Sequence, residues 1–295
     1  MEQHIDGHDE QHDEQGPGRR TVVITGASDG IGAAAARELS ARGHEVVVVG
    51  RSAGKTEAVA GPLGARHFTA DFARLDDVRR LAADLRGAVP RIDVLVNNAG
   101  GIFDRREVTT DGHEQTWQVN HLAPFLLTHL LLEGPLAGGS AVLNTSSVAA
   151  RIGRLSQQRL VDDRRWSPQR AYGDTKLANI LFTRGLARRY GEDGLAAAAF
   201  HPGGVATNFA SGTSTPLRFL YDTRLGRRIM RTPEQGAETL VWLADGTAGR
   251  DWRSGGYYEK QKPARTNPRA ADDALADALW ERSAELVGLG PAAAR

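Results

Sequence analysis

The sequence predicts a doubly wound α/β fold, in which a parallel sheet carries helices on both faces of a single domain. Two observations predict it. Short apolar segments alternate with helical ones along the chain, as is typical of parallel sheets. Segment 45–49 is almost entirely β-branched, as expected for a strand that is buried on both faces. At 295 residues the chain is long enough for one large domain.

The apolar segments predict six strands, connected by helical stretches. The strands are residues 21–25, 45–49, 66–69, 92–96, 141–145 and 196–200. The helical stretches are residues 30–42, 74–87, 111–133 and 169–190. Ligands of such sheets bind beyond the carboxyl ends of the strands, where the strand order reverses. We therefore expect the functional residues in the turns that follow these strands.

The first twenty residues are polar, acidic and rich in histidine. Such a segment cannot bury enough surface to offset the entropy of ordering it. We expect residues 1–20 to be a disordered tail and residues 21–295 to be the folded domain. His4, His8 and His12 would align for a metal on a helix, but a solvated tail is the favoured interpretation and no metal site is predicted.

Composition excludes several classes of function. The 37 basic and 36 acidic residues nearly cancel, which leaves no broad basic field for nucleic acid. The chain has no cysteine, so disulfides, thiolate catalysis and cysteine-ligated metals are excluded. Its longest apolar stretch, residues 122–132, is too short to span a membrane, and its N-terminus lacks the apolar core of a signal peptide. We therefore expect a cytoplasmic protein without a nucleic-acid partner or a membrane span.

A glycine-rich turn follows the first strand and opens the first helix. Gly26, Gly30 and Gly32 are spaced G-x3-G-x-G, which differs from the common G-x-G-x-x-G fingerprint but meets similar demands. Gly26 permits a tight turn, Gly30 admits a pyrophosphate, and Gly32 lets the helix pack closely on the sheet. The helix N-terminus adds unpaired N–H groups and a positive dipole end. The turn predicts a Rossmann-type dinucleotide site, with an ordinary glycine turn as the alternative.

The end of the second strand indicates which dinucleotide binds. Proteins of this fold that use NAD place an Asp or Glu there to hold the ribose, whereas this chain has Gly50-Arg51-Ser52. Arg51 could form charge-assisted hydrogen bonds with a 2′-phosphate, and Ser52 could add a neutral donor. These residues favour NADP(H). The negative charge of Asp29 in the glycine turn argues against a phosphate, and NAD(H) is the alternative cofactor.

A tyrosine and a lysine four residues apart form the candidate catalytic pair. Tyr172 and Lys176 lie in an apolar-periodic run that predicts a helix, so their side chains share one helix face. An ammonium beside a phenol lowers the pKa of the tyrosine from about 10 toward the working range. The pair could then serve as general acid for a carbonyl or general base for an alcohol. A second pair, Tyr258 and Lys262, lies in a segment that predicts strand or loop, and is set aside.

Together these motifs resemble those of the short-chain dehydrogenase/reductase family, from residue 21 to about residue 290. They occur in the family's order: Thr25-Gly-x-x-x-Gly30-Ile31-Gly32, Asn97-Asn98-Ala99-Gly100, Ser147, Tyr172 with Lys176, and His201-Pro202-Gly203. The segments DGHEQTWQVNHLAPFLLTHLLL and KLANILFTRGLARR resemble the retinol dehydrogenase and WW-domain oxidoreductase branch. The resemblance implies hydride transfer between a nicotinamide and a carbonyl/alcohol pair.

The resemblance also implies a role for each catalytic residue. Tyr172 would be the proton donor or acceptor, and Lys176 would bind the nicotinamide ribose and lower the pKa of that tyrosine. Ser147 would hydrogen-bond the substrate oxygen, with Ser146 as the less suitable candidate. Asn120 would complete the catalytic set through a water molecule.

Cofactor contacts follow from the same resemblance. Asp71 would meet the adenine and Asn97 the adenosine ribose, while the carboxamide would meet residues just after the His-Pro-Gly motif. The expected contacts are Gly26, Ser28, Gly30, Ile31, Gly32, Arg51, Ser52, Asp71, Phe72, Asn97, Ala99, Gly100, Asn120, Tyr172, Lys176, Pro202, Gly203, Val205 and Thr207.

Pro124 gives local support to the role of Asn120. It lies four residues later and has no N–H, so it cannot close the helical hydrogen bond to the Asn120 carbonyl. We expect that carbonyl to be available to a water molecule and the helix to kink there. A mere helix irregularity is the alternative.

Two segments border the predicted site. An arginine-rich insert, residues 151–169, lengthens the connection between Ser147 and Tyr172 to 24 residues. Its arginines could meet an anionic substrate, although a solvated loop is the favoured interpretation. The resemblance implies a substrate lid at about residues 209–231, with ordinary helix packing as the alternative.

The predicted function is hydride transfer between NADP(H) and a hydrophobic carbonyl or alcohol, with Tyr172 as general acid/base. The alternative is a NADP(H)-binding sensor or scaffold of the same fold, because fold does not fix function. The resemblance implies a homodimer or homotetramer formed through the helices at 111–133 and 169–190. The insert and the C-terminal helix could block that association.

Overall fold

The computed structural model describes residues 18–136, 138–160, 166–204 and 231–290. Its strands are β1 Thr21–Thr25, β2 Glu45–Gly50, β3 Arg66–Thr69, β4 Val94–Asn97, β5 Ala141–Thr145, β6 Ala196–His201, β7 Gly256–Glu259 and β8 Lys262–Pro263. Within the described residues they form one sheet in the order β3-β2-β1-β4-β5-β6-β7-β8. Neighbours pair in parallel except β7 and β8, which are antiparallel. The predicted α/β fold is confirmed.

Helices cover both faces of this sheet. They are α1 Gly30–Ala41, α2 Ala53–Ala60, α3 Leu75–Ala88, α4 Gln115–Trp117, α5 Ala123–Leu132, α6 Pro168–Tyr190, α7 Pro233–Asp245 and α8 Asp273–Leu286. Alternate strand residues divide the core: Val23 and Leu95 pack with α3, α5 and α8, whereas Val22 and Ile24 pack with α1 and α7. The strand order reverses between β1 and β4, so a ligand is expected at the carboxyl ends of these two strands.

Three predicted strands, 21–25, 66–69 and 141–145, have the observed bounds. The fourth begins at Val94 rather than at Ile92, because the Ile92 N–H donates to the Pro135 carbonyl, outside the sheet. Helix α2 is not predicted, since it is short and its apolar residues have only a weak helical period.

Where a kink was predicted near Pro124, the structure has a wider, π-helical turn. A π-helical segment, Gln118–Leu122, joins α4 to α5, and the Ala123 N–H donates to the Gln118 carbonyl five residues back. Because Pro124 has no N–H to donate, the regular hydrogen-bond register is not available at this point. Asn120 lies at the centre of the widened turn.

Helix α8 packs across α5 and α6, the two helices through which association was expected. The ring centroid of Trp280 lies 5.0 Å from that of Phe125 and 5.6 Å from that of Phe182. The Arg189 guanidinium lies 5.0 Å from the Trp280 ring and pairs with Asp277. The homodimer or homotetramer stays a prediction.

Several predicted features lie outside the described residues. They are the tail up to residue 17, the cofactor contacts Val205 and Thr207, and the lid up to residue 230.

Candidate active site

The glycine turn after β1 is packed against the loop that follows β4. Gly26 and Gly30 have φ of 64° and 56°, which favours glycine. A Cβ on Gly26 would lie 2.7 Å from the Ala99 Cα, so this position has no room for a side chain. The Asn98 side-chain amide donates to the carbonyls of Thr25 and Gly26 at 3.0 and 3.2 Å. The turn after β1 and the loop after β4 are therefore packed and hydrogen-bonded together at the switch point.

Asp29 serves the helix that follows this turn. It is the N-cap residue of α1, and its carboxylate accepts the Gly30 N–H at 2.7 Å. The negative charge lies at the positive end of the helix dipole, where it is stabilised. The charge that argued against a phosphate is thus partly neutralised by the helix.

Residues predicted to meet the adenosine end lie on the carboxyl ends of neighbouring strands. Arg51 and Ser52 follow β2 and are exposed. A Cβ on Gly50 would lie 2.7 Å from the Ser28 Cβ, so the glycine turn directly borders this rim. Asp71 follows β3, and its carboxylate accepts the main-chain N–H of Ala73 at 3.0 Å. The residue after Asp71, Phe72, is buried among core residues and offers its main chain.

The side chain of Asn97 is buried in the core. Its amide nitrogen donates to the Thr128 hydroxyl at 3.0 Å and to the Asn144 side-chain oxygen at 2.9 Å. The side-chain oxygen of Asn97 is also buried, so a contact between Asn97 and a ribose would be made by its main chain.

Asn120 joins the loop after β4 to the helical side of the site. Its side-chain oxygen accepts the Gly101 N–H at 2.8 Å, and its amide nitrogen donates to the Gly101 carbonyl at 2.9 Å. A Cβ on Gly100 would lie 2.8 Å from the Asn120 oxygen and 3.4 Å from the Lys176 Nζ. Gly100 therefore packs directly against two of the predicted catalytic residues, with no room for a side chain between them.

Lys176 is fully buried, and its ammonium donates to the Thr145 carbonyl at 3.1 Å. The Nζ lies 5.5 Å from the centroid of the Tyr172 ring. Burial lowers the pKa of Lys176 from 10.5 to about 8. A negative charge near the ammonium would stabilise its protonated form, and a phenolate on Tyr172 would be such a charge.

The two serines after β5 have different surroundings. Ser146 is buried, and its hydroxyl donates to the Lys176 carbonyl at 2.7 Å. Ser147 is half-buried and is the N-cap of a 3₁₀ helix, Val148–Ile152, where its oxygen accepts the Ala149 N–H at 3.2 Å. The Ser147 hydroxyl proton is not used by that bond, whereas the hydroxyl of Ser146 is committed to α6. The geometry favours Ser147 for contact with a substrate.

The His-Pro-Gly motif closes the site at the end of β6. The Gly203 N–H donates to the His201 Nδ1 at 3.3 Å, and burial lowers the pKa of His201 below its ordinary value. Pro202 is buried. Gly203 has a φ of 89°, and a Cβ there would lie 2.7 Å from the Arg231 Cδ. Gly203, a predicted cofactor contact, therefore packs against the side chain of Arg231.

Comparison with known proteins decides the family. The family model described as short chain dehydrogenase matches residues 20–217. A protein named "Putative daunorubicin C-13 ketoreductase DnrU", from Streptomyces sp. (strain C5), is 44% identical over 92% of this chain and 93% of its own length. Human retinol dehydrogenase 13 is 36% identical over 92% of this chain and 86% of its own.

The chain belongs to the short-chain dehydrogenase/reductase family.

Solved structures of other proteins share its architecture. A protein from Mycobacterium paratuberculosis superposes with a TM-score of 0.74 at 34% identity, covering 92% of this chain and 94% of that one. A short chain dehydrogenase from Burkholderia cenocepacia, solved in complex with NADP, has a TM-score of 0.63 at 28% identity and covers 81% of this chain and 94% of its own. The family resemblance expected from the motifs is confirmed.

The arginine-rich insert is anchored at both ends. The Arg154 N–H donates to the Asp174 carboxylate at 2.6 Å, and the Trp166 indole donates to Glu114 at 3.1 Å. The side chains of Arg154 and Arg159 are exposed, in keeping with a solvated loop in the part that the structure describes. Residues 161–165 of the insert lie outside it.

Two predicted exclusions concern membrane-spanning helices and metal sites in the described part of the chain. No helix there combines the length and apolar character needed to cross a membrane. The same residues contain no group of three side chains suited to hold a metal ion. The second Tyr-x-x-x-Lys pair is divided between β7 and β8, as its strand or loop prediction requires, and the Tyr258 hydroxyl donates to the Arg253 carbonyl.

Sequence reasoning missed one important partner, the Thr145 main-chain carbonyl. It accepts from Lys176 and also from the Asn179 amide at 3.1 Å. A carbonyl is common to every residue, so no sequence signal could have singled it out.

Proposed function

We propose that this short-chain dehydrogenase transfers a hydride between NADP(H) and the carbonyl/alcohol pair of a hydrophobic small molecule. The observation that carries the proposal is the packing around Gly100. The buried ammonium of Lys176, which lies 5.5 Å from the centroid of the Tyr172 ring, and the side-chain oxygen of Asn120 both lie beside Gly100. Ser147 begins the turn that packs against α6 at Gly173, and we assign to Tyr172, Lys176 and Ser147 the roles of proton donor, cation and oxygen clamp.

The residues fit a nicotinamide dinucleotide. Glycines form the turn between β1 and the N-terminus of α1, and Gly26 and Gly30 have positive φ there, which suits a turn that holds a pyrophosphate by main-chain N–H groups. The exposed Arg51 at the end of β2 supports NADP(H), because its guanidinium can pair with a 2′-phosphate. The Burkholderia relative solved with NADP supports the same choice.

The side chains of the site would carry out the proton transfer. When bound, the nicotinamide supplies or accepts the hydride. In the reductive direction Tyr172 donates its hydroxyl proton to the carbonyl oxygen, and Lys176 stabilises the phenolate that remains. The Ser147 hydroxyl donates a hydrogen bond to the same oxygen and holds it in line. Asn120 fixes the loop at Gly101, against which the cofactor would lie.

An apolar substrate is supported by the surface beside Ser147. Val148 and Ile152, on the 3₁₀ helix that this serine caps, are 48% and 57% exposed although both are hydrophobic. The relatives named as a daunorubicin ketoreductase and as retinol dehydrogenases support a hydrophobic ketone, aldehyde or alcohol.

Nucleotide titration and turnover test the proposal together. We expect NADPH to bind at least about tenfold more tightly than NADH, because Arg51 gains one charge-assisted contact worth roughly 1.5–3 kcal/mol. On a panel of hydrophobic ketones and aldehydes, wild type should oxidise NADPH, and Tyr172→Phe should lose about 100-fold or more in kcat.

The matched control is Tyr258→Phe, which alters the other Tyr-x-x-x-Lys pair and should leave kcat within about twofold while affecting stability only. Equal loss in both tyrosine variants would contradict the assignment of Tyr172. Binding of NADPH without turnover of any compound would instead favour a sensor or scaffold.

A further inference from the structure

Ser147 begins a turn that is held by hydrogen bonds more than by apolar burial. We call residues 147–153 the serine turn. Within it the Ala150 N–H donates to the Ser147 carbonyl at 3.0 Å, and the Gly153 N–H donates to the Ala150 carbonyl at 3.1 Å. Ala150 is its fully buried hydrophobic side chain, whereas Val148 and Ile152 are largely exposed. The position of the serine turn therefore depends on the groups that hydrogen-bond to its main chain.

Asn267 grips the far end of the serine turn. Its amide nitrogen donates to the carbonyls of Ala150 and Gly153 at 3.1 and 2.8 Å, and lies 3.4 Å from the Arg151 carbonyl. The side chain is only 8% exposed, so these bonds lie away from water. Its oxygen accepts the Arg269 N–H at 3.0 Å, which fixes the orientation of the amide.

The catalytic helix grips the opposite side of the same turn. A Cβ on Gly173 would lie 2.9 Å from the Ala149 carbonyl, and one on Gly153 would lie 2.9 Å from the Gly173 carbonyl. The Asp174 carboxylate accepts the N–H of the residue after the turn at 2.6 Å. Gly173 and Asp174 follow Tyr172 directly, so contact with α6 relates the Ser147 hydroxyl to the Tyr172 hydroxyl.

We propose that Asn267 is a positioning residue for the reaction. It presses the serine turn against α6 and so sets the distance between the two hydroxyls that meet the substrate oxygen. The inference rests on the proposed function, because it assigns Ser147 and Tyr172 to that oxygen. It adds a role for the segment before α8, which is more than 90 residues from Tyr172 in sequence and which no catalytic motif includes.

Two variants and one control test this role in the full-length protein. Asn267→Ala removes the amide, and Asn267→Asp keeps the oxygen that accepts from Arg269 but removes the donor. The control is Ser140→Ala, which also deletes a buried donor to a carbonyl, that of Ile92 at 2.7 Å, at the opposite end of β5. Hydrogen exchange of the peptide 146–154, the dissociation constant for NADPH, and kcat are measured for each.

In both Asn267 variants, the amide hydrogens of peptide 146–154 should exchange faster than in wild type. The kcat should fall about 10- to 100-fold, while the dissociation constant for NADPH should stay within about twofold of wild type. Ser140→Ala should lower stability without either change. Unchanged hydrogen exchange in peptide 146–154 would show that Asn267 does not hold the serine turn in place. Faster exchange with unchanged kcat would overturn the positioning role. Wild-type protein that turns over none of the compounds would overturn the proposed function, and this role with it, whatever the exchange shows.

Discussion

The ammonium of Lys176 is buried completely, and burial lowers its pKa from 10.5 to about 8. The unfolded chain keeps the same proton up to its ordinary pKa, so the folded state bears a cost that is fully present below about pH 8. Between about pH 8 and 10.5 the folded state releases the proton first, and the cost disappears. The residue that the proposed chemistry needs is thus one whose charged form the fold alone would disfavour.

Lys176→Met should therefore abolish turnover and yet raise the free energy of unfolding near pH 7. The gain is at most about 3 kcal/mol, from the difference between the two pKa values, less the hydrogen bond to Thr145. It should shrink steadily as the pH rises above 8. Urea denaturation of wild type and variant between pH 6.5 and 10 measures it, and a difference that does not change with pH would refute the account.

Spacing in the sequence predicted this pair, but not what surrounds it. Tyr172 and Lys176 could be selected because i and i+4 share a helix face. The carbonyl of Thr145 and the amide of Asn267 could not, since each reaches the site through tertiary contacts and carries no local pattern. The assignment of catalytic and cofactor roles stays a prediction that the geometry supports.

At the scale of elements, the helix expected over 111–133 begins later and is interrupted. It begins after Glu114, whose buried carboxylate accepts the N–H groups of Thr116 and Trp117 at 3.1 and 3.0 Å. A glutamate at an N-cap is uncommon, so the true start of this helix carries only a weak local signal. The interruption at Pro124 could be predicted, because a missing N–H is a property of the residue itself.

Pro124→Ala tests whether the widened turn at Gln118–Leu122 has a purpose. The added N–H can donate to the Asn120 carbonyl and restore the regular register, which would rotate the Asn120 side chain away from Gly101. We expect kcat to fall about tenfold, with the Tm within a few degrees of wild type. Pro90→Ala, at an exposed proline outside the site, should leave kcat unchanged. Unaltered kcat in Pro124→Ala would show that the turn is only an irregularity.

At the scale of the whole molecule, contacts between segments far apart in sequence hold the helices on the two faces of the sheet. Arg20, just before β1, donates to the carbonyls of Ala244 and Gly246 at the end of α7, both at 2.7 Å. On the other face α8 inserts Trp280, which is 3% exposed, among the aromatic rings of α5 and α6. Arginines of α6 pair with Asp273 and Asp277 around it, on largely exposed side chains.

Apolar packing should fasten α8 far more than these ion pairs do. Trp280→Ala removes a buried indole and should cost about 3–5 kcal/mol of stability. Asp277→Asn removes an exposed partner and should cost less than about 1 kcal/mol, and less still at high salt. Urea unfolding at two salt concentrations separates them. A larger loss for Asp277→Asn than for Trp280→Ala would reverse this ranking.

The edge strand β8 has a consequence for behaviour at high concentration. It is two residues long, and its Pro263 offers no N–H for a further strand, while Lys262 places a charge on the same edge. The opposite edge, β3, is four residues long and mostly exposed to solvent. Short, charged edges are poor templates for cross-β pairing, so crowded copies of this chain are protected from joining sheet to sheet into aggregates.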